Sequence, residues 1–279
     1  MKPRPGIVLA LGGGAGLGWA HIGVLRALDE AGVRVLAVAG TSIGALAGVC
    51  FGAHRLDVLE GFARSANLKM VLRFIDPHWK RGAVLGGREI ARQLEMHLGH
   101  IRFQDLHMPV SAVAADLLTG DVVIIDRGPV SEAVRASMAL PGIFHPVALG
   151  DRLLVDGGVA MPVPVAAARA LMPGRPLIAV NLLGDYQGRA RSLRRGWTEK
   201  RSVSTFGVVR AATALMTANL TRHSLSVDPA DVQLDLPVGH IDAGNFTRAE
   251  ELIAIGRAAI TDALPQINAL ISAQLLGTP

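Results

Sequence analysis

The strongest constraint on the fold of this chain is a pattern in its first 53 residues, where an apolar run and a helical segment occur twice in succession. Gly6–Leu11 is a short apolar run bounded by glycines, and a helical pattern over Gly18–Ala31 follows it. Val33–Ala39 is a second apolar run, and Ile43–Ala53 is rich in alanine, leucine and glycine. Parallel strands need a crossover connection, which a helix usually supplies. The pattern therefore predicts an α/β fold with a mixed, mostly parallel sheet between helices.

The same reading predicts further elements along the chain. Strands are predicted at Val110–Ala115, Val122–Asp126, Arg152–Val155, Leu177–Leu182 and Val232–Leu236. Helices are predicted at Val130–Met138, Val163–Leu171, Thr205–Leu220 and Arg248–Ile271, and the last could break at Pro265. We expect a single domain over 1–279, with a core at about 6–183, a mobile basic loop at about 184–204, and C-terminal helices and a strand at 205–275.

Composition excludes several classes of protein. Hydrophobic residues make up 50% of the chain and charged residues 18%, so there is ample apolar surface to bury and disorder is excluded. A single cysteine, Cys50, excludes a disulfide framework and a metal site built from cysteines. Aromatic residues make up only 4%, too few for a base-stacking surface, so we expect no nucleic-acid partner.

An uncharged stretch from Val35 to Ala53 is 19 residues long, which is enough for a membrane span. A buried strand, a turn and a buried helix explain the same residues better, and we predict no transmembrane helix. The apolar run Ile7–Leu11 ends at Gly12 and is too short for a signal peptide. We therefore expect a cytoplasmic protein, with peripheral contact at the inner membrane as a further hypothesis.

Glycines are concentrated between the first strand and the first helix, at Gly12, Gly13, Gly14, Gly16 and Gly18. A dinucleotide fingerprint would need glycine at Leu17 or Trp19, and a Walker A loop would need Gly-Lys-Ser/Thr. Glycines before a helix let backbone amides face a negatively charged group. The loop is thus either an anion cradle, such as an oxyanion hole, or only a tight turn.

A nucleophile motif, GxSxG, lies between the second strand and the second helix, at Gly40-Thr41-Ser42-Ile43-Gly44. Its serine must occupy a strained strand-to-helix turn, and glycines two residues to either side allow the two backbones to come close. The start of the following helix also stabilises developing negative charge. The context predicts that Ser42 is a catalytic nucleophile.

A serine hydroxyl needs a base, and the sequence offers two candidates. Asp156-Gly157-Gly158 ends an apolar strand, which places a carboxylate at the edge of the sheet where catalytic groups collect. Burial would raise the pKa of Asp156 and suit it to act as base, although a turn aspartate is an equal alternative. His240, after a late strand, is the histidine that a Ser–Asp–His triad would use.

Several blocks of sequence, in this order, together resemble the patatin-like phospholipase family, in particular its short bacterial members. The glycine-rich block extends through Ala20-His21-Ile22-Gly23-Val24-Leu25 and precedes the Gly40–Gly44 motif. The later blocks are Ala115-Asp116-Leu117 with Thr119-Gly120, Arg135-Ala136-Ser137 with Pro141-Gly142, and Asp156-Gly157-Gly158. The resemblance covers nearly the whole chain and implies a three-layer α/β/α fold.

The resemblance implies a Ser–Asp dyad without a catalytic histidine, in which Ser42 is the nucleophile and Asp156 the general base. The amides of Gly12, Gly13 and Gly14 would line the oxyanion hole. The implied reaction is hydrolysis of lipid or lysophospholipid esters through an acyl-enzyme, with no metal or organic cofactor. The alternative is a regulatory or adaptor protein with the same fold and little or no activity.

Two departures from the family pattern keep this alternative open. Family members often carry Arg or Lys at the position of Leu17, and a headgroup contact made by that charge would be absent here. They also often carry Asn shortly after the Asp-Gly pair, where this chain has Ala160-Met161-Pro162. The second departure concerns the support of the turn that follows Asp156.

Basic residues are concentrated in two segments, Gly184–Ser204 and Lys69–Arg92. In the second segment apolar residues such as Phe74 and Trp79 alternate with the cations. Two interpretations stay open: a lid or interfacial patch that contacts anionic lipid, or the solvated face of an ordinary helix. The sequence does not indicate an oligomeric state.

Overall fold

The structure is a computed structural model that describes residues 5–66, 88–200 and 205–276. Its strands are β1 Ile7–Leu11, β2 Val35–Thr41, β3 Val110–Asp116, β4 Val122–Ile125, β5 Val147–Leu149, β6 Arg152–Asp156, β7 Leu177–Asn181 and β8 Val232–Asp235. Its α-helices are α1 Trp19–Glu30, α2 Ile43–Gly52, α3 Leu56–Ser65, α4 Arg88–Leu98, α5 Val130–Ser137, α6 Val165–Leu171, α7 Tyr186–Lys200, α8 Thr205–Val227 and α9 Ala249–Leu276. Short 3-10 helices lie at Ala15–Gly18, Phe103–Asp105 and Gly157–Val159.

The described strands form one eight-stranded sheet in the order β5-β6-β3-β2-β1-β7-β8, and β4 pairs with β3. The neighbours from β3 to β8 along this order are parallel, while β4, β5 and β6 join in antiparallel pairs. The predicted mixed, mostly parallel sheet is therefore confirmed. The carboxyl ends of the parallel strands lie at one edge, which is where open α/β sheets bind their ligands.

Helices cover both faces of this sheet and give three layers. Along β1, the side chains of Ile7, Leu9 and Leu11 belong to one buried cluster, which includes residues of α1, α2 and α9. Val8 and Ala10 belong to a second cluster, formed with α6 and with the carboxyl end of α8. This alternation, with period two, explains why the central strands are continuous apolar runs: both of their faces are buried.

The structure contains every strand and helix that the sequence pattern predicts, with ends that differ by a few residues. α8 extends beyond its predicted end at Leu220 to Val227, and α9 continues through Pro265 without a break. Helix α9 is held on both sides of the proline, because Ile260 and Ile267 are fully buried in the core. The elements α3, α4 and β5 were not predicted from the sequence pattern.

The prediction of a loop at about 184–204 is wrong, because Tyr186–Lys200 forms the helix α7. The side chain of Asp185 caps its first turn, and its Oδ1 accepts a hydrogen bond from the Gly188 amide at 2.8 Å. Most of the charged residues that follow are arginines and lysines, whose unbranched side chains lose little freedom in a helix. A high density of charge is thus compatible with a capped, solvated helix.

The uncharged stretch Val35–Ala53 is divided between β2, the turn at Ser42 and α2. Within the part of the chain that the structure describes, no helix combines the length and the apolar character needed to cross a membrane.

Candidate active site

Ser42 lies on a sharp turn between β2 and α2, and its backbone has φ 56° and ψ −123°. This left-handed conformation is strained for any residue with a Cβ. The turn requires glycine at both flanking positions, since a Cβ at Gly40 would collide with the backbone of Ala45 and one at Gly44 with the Leu11 carbonyl. The strand, turn and helix that the GxSxG motif predicts are confirmed.

The Ser42 hydroxyl donates a hydrogen bond of 2.5 Å to Oδ2 of Asp156. Both residues are buried, with 9% and 4% of their surface exposed. Strand β3 brings them together, because Thr41 pairs with Val113 on β3 and Asp156 pairs with the next residue, Ala114. β2 and β6 therefore meet end to end along the same side of β3, with the serine and the carboxylate at their junction.

Both oxygens of the Asp156 carboxylate accept a hydrogen bond. Oδ1 accepts a hydrogen bond of 2.7 Å from the Gly158 amide, and Oδ2 accepts the hydrogen bond from Ser42. Burial raises the pKa of Asp156 to about 6, although the two hydrogen bonds act in the opposite direction. A carboxylate with such a pKa is ionised near neutral pH and is a stronger base than an exposed aspartate.

The turn after Asp156 is closed by hydrogen bonds of its own backbone and by one from the Thr41 side chain. The Gly157 carbonyl accepts hydrogen bonds from the amides of Ala160 at 3.0 Å and Met161 at 2.8 Å. The Met161 carbonyl in turn accepts a hydrogen bond of 2.8 Å from the hydroxyl of Thr41, which precedes the serine. A side chain at Gly157 would collide with the Val113 carbonyl. The turn is therefore closed with Met161 in the region where the family resemblance leads us to expect asparagine.

Ser137, at the end of α5, fixes the Ser42 backbone. Its hydroxyl oxygen accepts a hydrogen bond of 2.8 Å from the Ser42 amide and donates one of 2.5 Å to the Val113 carbonyl. Sequence reasoning did not assign a role to this residue. The only signal for it was its place in a sequence block typical of the family.

The glycine-rich loop after β1 lies beside the serine, since a Cβ added at Gly13 would be 3.5 Å from the Cβ of Ser42. The amides of Gly12 and Gly13 already donate hydrogen bonds of 3.0 and 2.9 Å to backbone carbonyls of β7 and of the segment before α6. The hydrogen bonds among the described residues leave the amides of Gly14 and Ala15 unused. Ala15 has a left-handed backbone, with φ 49°. The amides available to an anion are thus those at the end of the glycine run.

His21 holds this loop from inside the protein. Its Nε2 lies 2.7 Å from the Gly12 carbonyl, and the side chain is completely buried. Burial lowers the pKa of His21 to about 4, so the ring is neutral at physiological pH and Nε2–H is the donor. Sequence reasoning included His21 in a family block but assigned it no role.

Leu17 lies in the hydrophobic core, with 3% of its surface exposed. A buried leucine makes no contact with a charged headgroup. Any recognition of a headgroup in this chain must therefore come from other residues.

His240, the candidate for a triad, lies at the surface and its Nε2 is 2.8 Å from Oε1 of Glu251. Among the described residues, no histidine forms a hydrogen bond with Ser42, whose hydroxyl contacts Asp156 instead. The geometry thus favours the two-residue arrangement over the triad.

Within residues 5–66, 88–200 and 205–276, no group of three His, Cys, Asp or Glu side chains is arranged to hold a metal ion. The single cysteine, Cys50, is buried, and burial raises the pKa of its thiol to about 12. It therefore stays protonated and is a poor nucleophile.

The basic segment Lys69–Arg92 was predicted to be either a lid or interfacial patch, or the solvated face of a helix. Most of it lies outside the described residues. Its last five residues are described, and they begin α4.

The sequence profile described as patatin-like phospholipase matches residues 9–169, which include the glycine-rich loop, Ser42 and Asp156. An uncharacterized NTE family protein of Mycobacterium tuberculosis is 31% identical, and the match covers 93% of this chain and 91% of that protein. The neuropathy target esterase sws of Drosophila persimilis is 33% identical over 57% of this chain, which corresponds to 11% of that larger protein.

Among solved structures, VipD from Legionella pneumophila is similar in fold, with a TM-score of 0.58 and 12% sequence identity. The match covers 96% of this chain and 67% of VipD. At this identity the similarity concerns the fold alone.

Proposed function

The chain belongs to the patatin-like phospholipase family, and from this premise we propose that it is a serine hydrolase of lipid esters, of the phospholipase A or lysophospholipase type. One observation carries the proposal: the hydrogen bond of 2.5 Å between the Ser42 hydroxyl and the Asp156 carboxylate. The strained turn of Ser42 and the raised pKa of Asp156 support it. A relative named as an esterase is 33% identical over 57% of this chain, which adds to this support.

In the proposed mechanism, the Ser42 oxygen attacks the carbonyl carbon of the ester while its proton moves to Asp156. The tetrahedral intermediate then collapses, the leaving alcohol takes the proton from Asp156, and the acyl group stays on Ser42. A water molecule next loses a proton to Asp156 and attacks the acyl-enzyme. The fatty acid leaves and Ser42 recovers its proton, so the enzyme returns to its starting state. Every proton in this sequence is carried by Asp156.

The developing oxyanion needs donors close to Ser42. Family resemblance indicates Gly12, Gly13 and Gly14, but the first two amides already have backbone acceptors. We therefore assign this role to the amides of Gly14 and Ala15, helped by the start of α2 directly after Ser42. A Cβ at Gly12 would collide with the Val180 carbonyl at 2.9 Å, whereas one at Gly13 would lie at ordinary contact distance, 3.5 Å, from the Cβ of Ser42.

The rival hypothesis is a regulatory or adaptor protein that has this fold and no hydrolase activity. The observation that favours it is Leu17, which is buried in the core at a position where the family resemblance leads us to expect a cation. Intact hydrogen bonds at Ser42, Asp156 and Ser137 favour the enzyme.

A panel of fatty-acid esters and phospholipids tests the proposal on the wild type, Ser42→Ala, Asp156→Asn and His240→Ala. We expect turnover by the wild type, a decrease of about a thousandfold or more in Ser42→Ala and Asp156→Asn, and nearly unchanged turnover in His240→Ala. Loss of activity in a correctly folded His240→Ala variant would contradict the dyad. Turnover of no ester by the folded wild type would favour the adaptor hypothesis.

A further inference from the structure

Helix α8 is much longer than the strands beside it. Its 23 residues span about 35 Å, whereas the five residues of β7 span about 17 Å. Its carboxyl end lies at the amino edge of the sheet, because Asp228, just after the helix, pairs with Arg169 at 3.0 Å and Asp231 bonds to the first residue of β7. The helix must therefore extend past the opposite edge of the sheet.

One hydrogen bond and the burial of three residues show where α8 passes the carboxyl edge of the sheet. The hydroxyl of Tyr186, which follows β7, donates a hydrogen bond of 2.6 Å to the Ala218 carbonyl. Ala218, Thr221 and Leu225 are buried, so the second half of the helix packs on the protein. The first half, up to about residue 217, therefore projects from the edge at which Ser42 follows β2.

Among the described side chains of this projecting half, the large apolar ones are exposed. Val208, Val209, Leu215 and Met216 are more than half exposed, and Met216 reaches 71%. From residue 211 to 221 the helix contains no charged side chain. The hydroxyls of Thr213 and Thr217 donate to the carbonyls of the preceding turn at 3.0 Å, so these residues present no unpaired donor.

The neighbouring helix α7 supplies positive charge. Its residues Ala190 to Arg194 are exposed without interruption, so no face of the helix is buried there, and Leu193 is 56% exposed. Between Tyr186 and Arg222 the sequence has one acidic residue, Glu199, and the following basic ones: Arg189, Arg191, Arg194, Arg195, Lys200, Arg201, Arg210 and Arg222. Of these cations, Arg191 and Arg194 lie in the exposed stretch of α7. An exposed apolar helix face combined with exposed cations on the adjoining helix is typical of segments that lie in a membrane interface rich in anionic lipid.

We propose that the exposed apolar side chains of α8 (Val208, Val209, Leu215 and Met216) and residues Ala190 to Arg194 of α7 form a membrane-docking surface for anionic phospholipid bilayers. The choice of a lipid bilayer as partner rests on the proposed lipid hydrolase function. Docking through this surface presents the carboxyl edge of the sheet, and with it Ser42, to the lipid.

Flotation with vesicles tests the surface. Vesicles of phosphatidylcholine alone are compared with vesicles that contain equal parts of phosphatidylcholine and phosphatidylglycerol, for the wild type and the double variant Leu215→Ser/Met216→Ser. We expect the wild type to prefer the anionic vesicles and to lose binding as salt increases. We expect the double variant to bind about tenfold more weakly. Val227→Ser is the matched control, because Val227 is also 71% exposed but lies at the opposite end of α8, and it should bind as the wild type does.

Two enzymatic rates separate this inference from the proposed function. The double variant should hydrolyse vesicle phospholipid about tenfold more slowly and a soluble short-chain ester at the wild-type rate. Wild-type hydrolysis of the soluble ester without vesicle binding would overturn the docking surface and leave the function in place. Vesicle binding that depends on Leu215 and Met216, without hydrolysis of any ester, would overturn the function and support the surface.

Two further results would overturn the docking surface. One is equal binding of anionic vesicles by the double variant and the wild type. The other is a wild-type dimer that is absent from the double variant, while the two proteins bind vesicles equally. In that case the exposed apolar side chains of α8 would pack against a second copy of the chain. Sedimentation velocity on the same samples detects the dimer.

Discussion

The Ser42 hydroxyl and the Asp156 carboxylate are 114 residues apart in sequence and are joined by a hydrogen bond of 2.5 Å. Strand β3 aligns them, because it pairs with the end of β2 and with the end of β6 at consecutive residues. The arrangement needs no side chain to reach across a cleft. Its geometry therefore depends on backbone pairing and on the strained turn at Ser42.

The strain at Ser42 predicts a stability effect. The free energy of unfolding of Ser42→Gly should exceed that of Ser42→Ala by about 1 kcal/mol, because glycine adopts a φ of 56° without steric cost. Both variants lack the hydroxyl and should be equally inactive. Urea unfolding of the two variants measures the difference, and equal midpoints with equal slopes would show that the turn is not strained.

The raised pKa of Asp156 predicts the pH dependence of catalysis. Only the ionised carboxylate can accept the serine proton, so kcat/KM for a soluble ester should rise with pH and reach half of its maximum at about pH 6. A rate profile over the stability range of the protein measures this value. Half-maximal activity close to pH 4 would mean that Asp156 is not desolvated in solution.

The same carboxylate predicts a pH-dependent stability difference. The pKa of Asp156 is higher in the folded state than its ordinary value of 3.8, so its contribution to stability is present at low pH and is lost as the pH rises through about 6. Asp156→Asn has no such loss and should be more stable than the wild type at about pH 8, with a smaller advantage at about pH 4. Urea unfolding at both values measures it, and a constant difference would contradict the shift.

Ser137 and Ser111 are a matched pair for testing the support of the nucleophile. Both side chains are fully buried, but the Ser137 hydroxyl binds the Ser42 amide, while the Ser111 hydroxyl has no hydrogen-bond partner among the described residues. Ser137→Ala should lower kcat by about tenfold, since it removes one hydrogen bond from the nucleophile turn. Ser111→Ala should leave kcat unchanged and keep or raise the melting temperature. An equal loss of kcat in both variants would show a general packing effect instead.

Much of the fold could be predicted because its central strands are buried on both faces. Runs such as Gly6–Leu11 and Val35–Ala39 are apolar throughout, and a helix with a clear pattern lies between them. α7 could not be predicted in the same way, because it is solvated and its start depends on one capping side chain, Asp185. The persistence of α9 through Pro265 depends on tertiary burial, which a local pattern does not contain.

The site could be predicted in part. The GxSxG motif carries its own structural context, and Asp156 ends a recognisable strand, so both residues could be named. The pairing partner of a backbone amide cannot be predicted from residue type, which explains why the occupied amides of Gly12 and Gly13 were unexpected. The roles of Ser137 and His21 depend on contacts between distant segments.

The most direct test of the central claim is mass spectrometry of the wild-type protein after reaction with an active-site-directed fluorophosphonate. The account predicts one adduct per chain, on the peptide that contains Ser42, no adduct in Ser42→Ala, and much slower labelling of Asp156→Asn at about pH 8. His240→Ala should be labelled at the wild-type rate. A folded wild type that forms no adduct, or an adduct on another residue, would contradict the assignment of Ser42 and Asp156 as the catalytic pair.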